Sequence, residues 1–232
     1  MIQVQGLTKR FGRFSALRNL QLEVGRGQFV ALFGRNGAGK TTLLRIVAGL
    51  SRPSAGTVVI HDPQPLPPQA ARGSMGYLSH NTALYLDLTA LENLRFYARL
   101  LDMPCQEDDL LRETDRVGLA GREYEPVRNF SRGMQQRLAI ARAFLHDPGI
   151  LLLDEPFTGL DQGGAEFLKN YLAAAHAKGK TCLMAVHDVA LGYGLADRLV
   201  VIEKGVVALD APRHSMSLSD FQRHYQAISR ER

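Results

Sequence analysis

The sequence predicts an α/β fold built on a mainly parallel sheet. The runs Phe29–Phe33, 150–153 and 181–186 are short and apolar throughout, they end at polar or glycine residues, and stretches of helical periodicity separate them. Strands buried on both faces read as such continuous runs, and helices alternating with them cover a parallel sheet on each side. A length of 232 residues suits one domain, or one domain with a small inserted lobe. That length supports a core without covalent staples.

The elements follow in order. Phe29–Phe33 is a strand stopped by Gly34, and residues 41–50 form a helix ended by Gly49 and Pro53. The β-branched run 57–60, entered through Ser54-Ala55-Gly56, is a strand. Residues 62–73, with Pro63, Pro65, Pro67 and Pro68, are expected to be a loop. From Leu84 to Phe130 helical signals dominate. Thr89 and Glu92 have the spacing of a capping box, which starts a helix at Ala90. Leu91, Leu94, Ala98 and Leu101 give it one apolar face, and Pro104 ends it. A second helix covers 107–117, closed by Gly118, and a third begins after Ser131 and runs to Leu145. Residues 199–209 read as a hairpin turning at Glu203-Lys204-Gly205, and the tail after Pro212 is expected to be polar and partly helical at best.

Several classes of function are excluded. No run of about 18 uncharged apolar residues is present, so the chain is not expected to span a bilayer by itself. The N-terminal residues lack the apolar segment of a signal peptide. Cys105 and Cys182 stand alone, which argues against a disulfide framework or zinc site and fits a reducing compartment. Lys and Arg number 28 against 23 acidic residues, a net charge of +5. The basic residues are scattered, so they read as a solvated surface, and no nucleic-acid partner is expected.

Three segments carry chemistry. Gly34-Arg35-Asn36-Gly37-Ala38-Gly39-Lys40-Thr41, followed by Thr42, matches the phosphate-binding G-x-x-x-x-G-K-[ST] pattern between a strand and a helix. Its glycines let backbone N–H groups face phosphate oxygens, the helix N-terminus favours negative charge, Lys40 reaches the β- and γ-phosphates, and the Thr41 hydroxyl can ligate Mg2+. The apolar run 150–153 ends in Asp154-Glu155, which places two carboxylates at the carboxyl edge of the sheet. Asp154 suits Mg2+, and Glu155 is then free to deprotonate a water as general base. Together these imply a P-loop NTPase core. Ser131-Arg132-Gly133-Met134-Gln135-Gln136-Arg137 opens the helix before Asp154, with Ser131 as N-cap and Gly133 exposing backbone N–H.

With these three segments in this order, the chain resembles the ATP-binding subunits of ABC transporters over nearly its whole length. Their L-S-G-G-Q signature corresponds to Phe130-Ser131-Arg132-Gly133-Met134, which departs from it at Phe130, Arg132 and Met134. The resemblance implies an antiparallel β subdomain beside the P-loop core and an inserted helical lobe over 83–145, with 1–82 and 146–232 forming the rest. It implies that Phe11 stacks on adenine and that Thr158-Gly159-Leu160-Asp161 is a loop at the partner subunit, with Asp161 in the nucleotide-binding set. It places His187 at the γ-phosphate, and His80, where the family keeps Gln after the strand Met75–Leu78, as a contact to Mg2+ or water. ATP and Mg2+ are the implied cofactors. The implied partners are a transmembrane permease and a second ATPase subunit, identical or pseudo-symmetric, whose Ser131 and Gly133 equivalents cap the nucleotide head-to-tail. The implied location is the cytoplasmic face of the membrane, held there by the permease. The wording Gly76-Tyr77-Leu78-Ser79-His80, with Asp87 to Leu94 after it, is similar to the haem-exporter ATPases of cytochrome c maturation, so an export cargo linked to haem is an expectation.

Overall fold

The computed structural model describes residues 1–61, 64–79 and 81–230. Among the described residues ten strands form two sheets. β1 (Ile2–Phe11), β2 (Phe14–Val24), β4 (Ala55–His61) and β5 (Pro65–Leu66) make an antiparallel sheet in the order β2-β1-β4-β5. β3 (Phe29–Phe33), β6 (Met75–Leu78), β7 (Ile150–Asp154), β8 (Thr181–Ala185) and β9 (Arg198–Glu203) run parallel, and β10 (Val206–Pro212) closes one edge antiparallel to β9. That sheet has the order β10-β9-β3-β8-β7-β6. The fold is thus α/β with a mainly parallel main sheet and a second, antiparallel one, as expected.

Every residue of β3, β7 and β8 is buried, which is why these strands read as unbroken apolar runs. Side chains alternate across a strand, so each central strand feeds two layers. Phe29, Ala31, Phe33, Leu151, Leu153 and Met184 face one cluster, and Val30, Leu32, Leu152, Leu183 and Ala185 face the other. The first cluster is completed by the helices α2 (Ala90–Leu100), α3 (Glu107–Arg116), α4 (Arg132–Phe144), α5 (Gln162–Ala177), α6 (Val189–Leu195) and α7 (Leu218–Arg230). The second is completed by α1 (Lys40–Val47) and the antiparallel sheet. Each fully buried Leu, Ile or Phe contributes roughly 1.5–3 kcal/mol to holding these layers together.

The helices α2, α3 and α4 lie between β6 and β7 in the chain. The capping box at α2 is complete: the Thr89 hydroxyl accepts from the Glu92 N–H at 3.1 Å, and the Glu92 carboxylate accepts from the Thr89 N–H at 2.8 Å. The Thr89 N–H, and after it the Thr89 hydroxyl, favour the ionised carboxylate and lower the Glu92 pKa. Asn93 is buried and ties down the incoming loop, exchanging hydrogen bonds with the Tyr85 backbone at 2.9 Å each way. Among the described residues no helix is long and apolar enough to cross a membrane.

Three expectations are corrected. The tail after Pro212 contains a thirteen-residue helix, α7, whose Phe221 is fully buried. It starts on a second capping device, in which the Asp220 N–H donates to Ser217 Oγ at 3.2 Å and the Ser217 N–H to Asp220 Oδ2 at 3.3 Å. The loop 62–73 holds the short edge strand β5, where Leu66 pairs with Ile60 and Pro65 is tolerated because an edge needs no donor there. The first helix ends at Val47 rather than at residue 50. Gly49, at φ +70°, folds the chain back so that its N–H bonds Ile46 O and the Leu50 N–H bonds Arg45 O.

Candidate nucleotide-binding site

The glycine-rich loop 34–39 joins β3 to α1 and depends on glycine at two tight places. Gly34 has φ +148°, and a Cβ there would lie 2.2 Å from the Ile202 carbonyl oxygen. Gly39 has φ +113°, and its Cβ would lie 2.6 Å from the Ala16 oxygen. The loop is also tied to both sheets. The Gly205 N–H, in the β9–β10 turn, donates to Ala38 O at 3.1 Å, and Gly205 O accepts from the Arg18 N–H of β2 at 2.9 Å.

Lys40 opens α1 with a buried side chain. Its Nζ donates to Gly34 O at 2.7 Å and to Arg35 O at 3.2 Å, so the ammonium is held inside the curl of its own loop. Burial pushes its pKa down, while the nearby Glu155 and Asp154 carboxylates push it back up. Thr41 Oγ1 donates to Asp154 Oδ1 at 3.0 Å, which joins the start of α1 to the end of β7. Asp154 is buried at the carboxyl end of that strand.

Glu155, the next residue, sits in the left-handed region at φ +53°, and its N–H donates to Ala185 O at 3.0 Å. The register between β7 and β8 thereby brings Glu155 beside the residues that follow β8. Glu155 Oε1 lies 2.6 Å from His187 Nε2. A non-glycine residue at positive φ costs about 1–3 kcal/mol and persists only where its surroundings hold it. Here the turn aims the carboxylate at the cleft.

These groups line one cleft of about 570 Å3. Its polar end holds Lys40, Thr41, Asp154, Glu155 and His187, and Asn36 to Gly39 and Thr42 form one wall. Phe11 and Phe14 stand at the other end, paired across the Gly12-Arg13 turn of the β1–β2 hairpin and more than half exposed. Lys9 Nζ lies 5.0 Å from the Phe11 ring centroid. Two exposed aromatic rings at an open rim can take a flat base, and the far end can take phosphates.

The cleft therefore brings together the expected Phe11, Asn36, Gly37, Ala38, Gly39, Lys40, Thr41, Thr42, Asp154, Glu155 and His187. Gly34 and Arg35 sit at the loop entrance, outside its lining. Ser131, Gly133 and Asp161 lie apart from it. Ser131 caps α4, its hydroxyl accepting from the Met134 N–H at 3.3 Å. Asp161 caps α5 through the Gly164 N–H at 2.7 Å and pairs with Arg137 of α4 at 2.7 Å. Those bonds favour its ionised form and lower its pKa. His80 lies outside the described residues. Phe14, Ala16 and Asn81 also line the cleft and went unread in the sequence. The signal for Phe14 was the two-residue turn, which sets it opposite Phe11 on the same face.

Among the described residues no three His, Cys, Asp or Glu cluster as a metal cage. Thr41 and Asp154 instead offer two hard oxygen donors 3.0 Å apart. Mg2+ commonly takes one or two protein oxygens and completes its octahedron with phosphates and water, so the pair fits that ion.

With this geometry in view, the family model described as ABC transporter matches residues 17–158. The chain is 36% identical over 218 residues to the fluoroquinolones export ATP-binding protein of Mycobacterium tuberculosis, covering 91% of this chain and 71% of that one. It belongs to the ABC transporter family of ATP-binding proteins. This ABC chain is also 37% identical over 213 residues to a sulfate/thiosulfate import ATP-binding protein of Rhizobium meliloti, covering 89% of its own residues but only 58% of that longer relative. In three dimensions it matches the ATP-binding cassette MJ0796, in a dimeric post-hydrolysis state bound to ADP and Pi, with a TM-score of 0.82 at 26% identity over 92% of this chain and 99% of that one. A second solved structure, the ATP-binding subunit of an ABC transporter, gives a TM-score of 0.84 at 28% identity, covering 98% of this chain and 94% of that one. The ABC chain is accordingly an ATP-binding ATPase of that family. The cargoes in the names of these relatives are sulfate, thiosulfate and fluoroquinolones, and the haem-linked cargo finds no support among them.

Proposed function

We propose that the chain is the motor subunit of a membrane transporter and hydrolyses Mg-ATP at the interface of two such subunits. The observation that carries the reading is the convergence of Lys40, Thr41, Asp154, Glu155 and His187 at one end of a single cleft, with Phe11 and Phe14 at the other. The rings take adenine. Loop N–H groups and Lys40 hold the β- and γ-phosphates, the ammonium exchanging its two carbonyl partners for phosphate oxygens. Thr41 and Asp154 would hold Mg2+, which when bound neutralises charge on the phosphate oxygens. Glu155 accepts a proton from the attacking water, and His187, already in contact with that carboxylate, keeps it aimed.

Ser131, Gly133 and Asp161 take no part in the lining of the cleft. The dimeric state of MJ0796 supports a pairing in which those residues of one copy cap the nucleotide of the other. Residues 83–145 act in this proposal as the helical lobe that carries the cap, and 1–82 with 146–232 as the cradle.

A groove of about 540 Å3 between α1, β6, α2 and α4, lined by Arg45, Tyr77, Tyr97, Leu100, Arg142 and His146, supports docking of a permease, which would hold the chain at the inner face of the membrane. Relatives work in both import and export, and export is the direction proposed here, from the wording of residues 76–94.

The experiment is Glu155→Gln mixed with saturating Mg-ATP and sized by light scattering. A dimer under Mg-ATP, returning to monomer with ADP, is the expected result. A chain that stays monomeric, alone and beside its permease, would overturn the shared-site reading.

A further inference from the structure

We infer that Arg35 is a positioning residue that fastens the phosphate-binding loop to the C-terminal helix α7, so that α7 holds the loop entrance in shape for a triphosphate. This rests on the cleft's reading as an ATP site. The segment 33–35 leads from β3 into the loop, and α7 meets it along one stripe. The Phe33 ring packs against Phe221 at 4.8 Å and Tyr225 at 6.2 Å between centroids. The Arg35 guanidinium donates to Ser229 O at 3.2 Å. Positions 221, 225 and 229 are spaced by four, so they stack on one helix face over successive turns. The helix therefore runs beside residues 33–35 from its first turn to its last.

The contact at Ser229 is favoured twice over. The last carbonyls of a helix lack intrahelical partners, and the C-terminal end of its dipole attracts a cation. Before nucleotide enters, the backbone of residue 35 has a second attachment, because its carbonyl accepts from Lys40 Nζ, a bond the phosphate oxygens then take over. Residue 35 is thus tied through its side chain to α7 and through its main chain to the ammonium that meets phosphate. An entrance held this way is preorganised, and triphosphate binding then spends less on ordering it. With the tie cut, the loop samples more shapes and binding weakens.

The test is Mg-ATP affinity, measured by calorimetry on the full-length chain, for Arg35→Ala, Ser229→Pro and the double variant, with melting temperatures recorded alongside. Proline at 229 breaks only the last turn of α7. Each single substitution is expected to raise Kd about five-fold, the double no further than the larger single, and Arg35→Lys to recover part of the loss. Wild-type affinity in Ser229→Pro, effects that multiply in the double variant, or lowered melting temperatures with Kd unmoved would each overturn the link. Failure of the wild-type chain to bind Mg-ATP would instead overturn the ATP-site reading.

Discussion

Glu155 Oε1 lies 2.6 Å from His187 Nε2, across the carboxyl ends of β7 and β8. Two neighbouring strands each deliver one half of this pair. The backbone of Glu155 is held in the left-handed region to do so, with its N–H on Ala185 O. A carboxylate fixed at that edge can take a proton from water sitting against the γ-phosphate.

Glu155→Gln keeps the size and hydrogen-bonding reach of the side chain but removes its basicity. Turnover should fall by about 10²–10⁴-fold, the usual worth of a general base, with Mg-ATP affinity retained. Steady-state phosphate release together with nucleotide titration checks both halves.

His187→Ala leaves the base chemically intact and removes what aims it. We expect a smaller loss of kcat, about 10- to 100-fold, with KM within a few-fold of wild type, since positioning rather than binding is lost. A drop equal to that of Glu155→Gln would instead give His187 a direct share in the proton transfer.

In the proposed site Lys40 meets phosphate as an ammonium ion, and burial pushes its pKa below the usual lysine range. The protonated form is therefore lost earlier as pH rises than for an exposed lysine, so ATP affinity should decline at alkaline pH. Stability moves the opposite way. Between the lowered folded pKa and the unfolded one, the unfolded chain binds more protons, so the Lys40 contribution to folding becomes more favourable as pH rises through that window. Calorimetric titrations from pH 7 upward check the first expectation, and denaturant midpoints of the nucleotide-free chain check the second. Lys40→Ala should weaken ATP binding at every pH and abolish this part of its alkaline decline.

Phe221→Ala should destabilise the fold by about 3–5 kcal/mol, the range for truncating a fully buried aromatic ring. Urea unfolding of the nucleotide-free chain measures it. A loss under 1 kcal/mol would mean that α7 packs more loosely than its aromatic contacts with Phe33 indicate.

The parts legible in the sequence were those whose signal is local. β3, β7 and β8 announce themselves because both faces are buried, and the P-loop because its glycines have backbone duties within eight residues. The capping box at Thr89 and Glu92 was readable, whereas the similar device at Ser217 and Asp220 was passed over. There the apolar stripe is reduced to Phe221, Tyr225 and Ile228 amid charged residues, and what secures α7 is distant packing on Phe33. The pairing of Arg137 with Asp161 was illegible for a like reason, since the two residues stand on different elements and only the tertiary fold brings them to 2.7 Å.

The Lys204-Gly205 turn sets the calibre of the slot. Because main-chain atoms of Gly205 clasp both Ala38 of the loop and Arg18 of the hairpin, the distance from the aromatic rim to the ammonium is maintained by peptide groups. Side-chain replacements along the walls can loosen or tighten the grip, but they leave that gauge untouched. Any side chain at 205 would strike the Ala16 oxygen at 2.7 Å and spread the jaws.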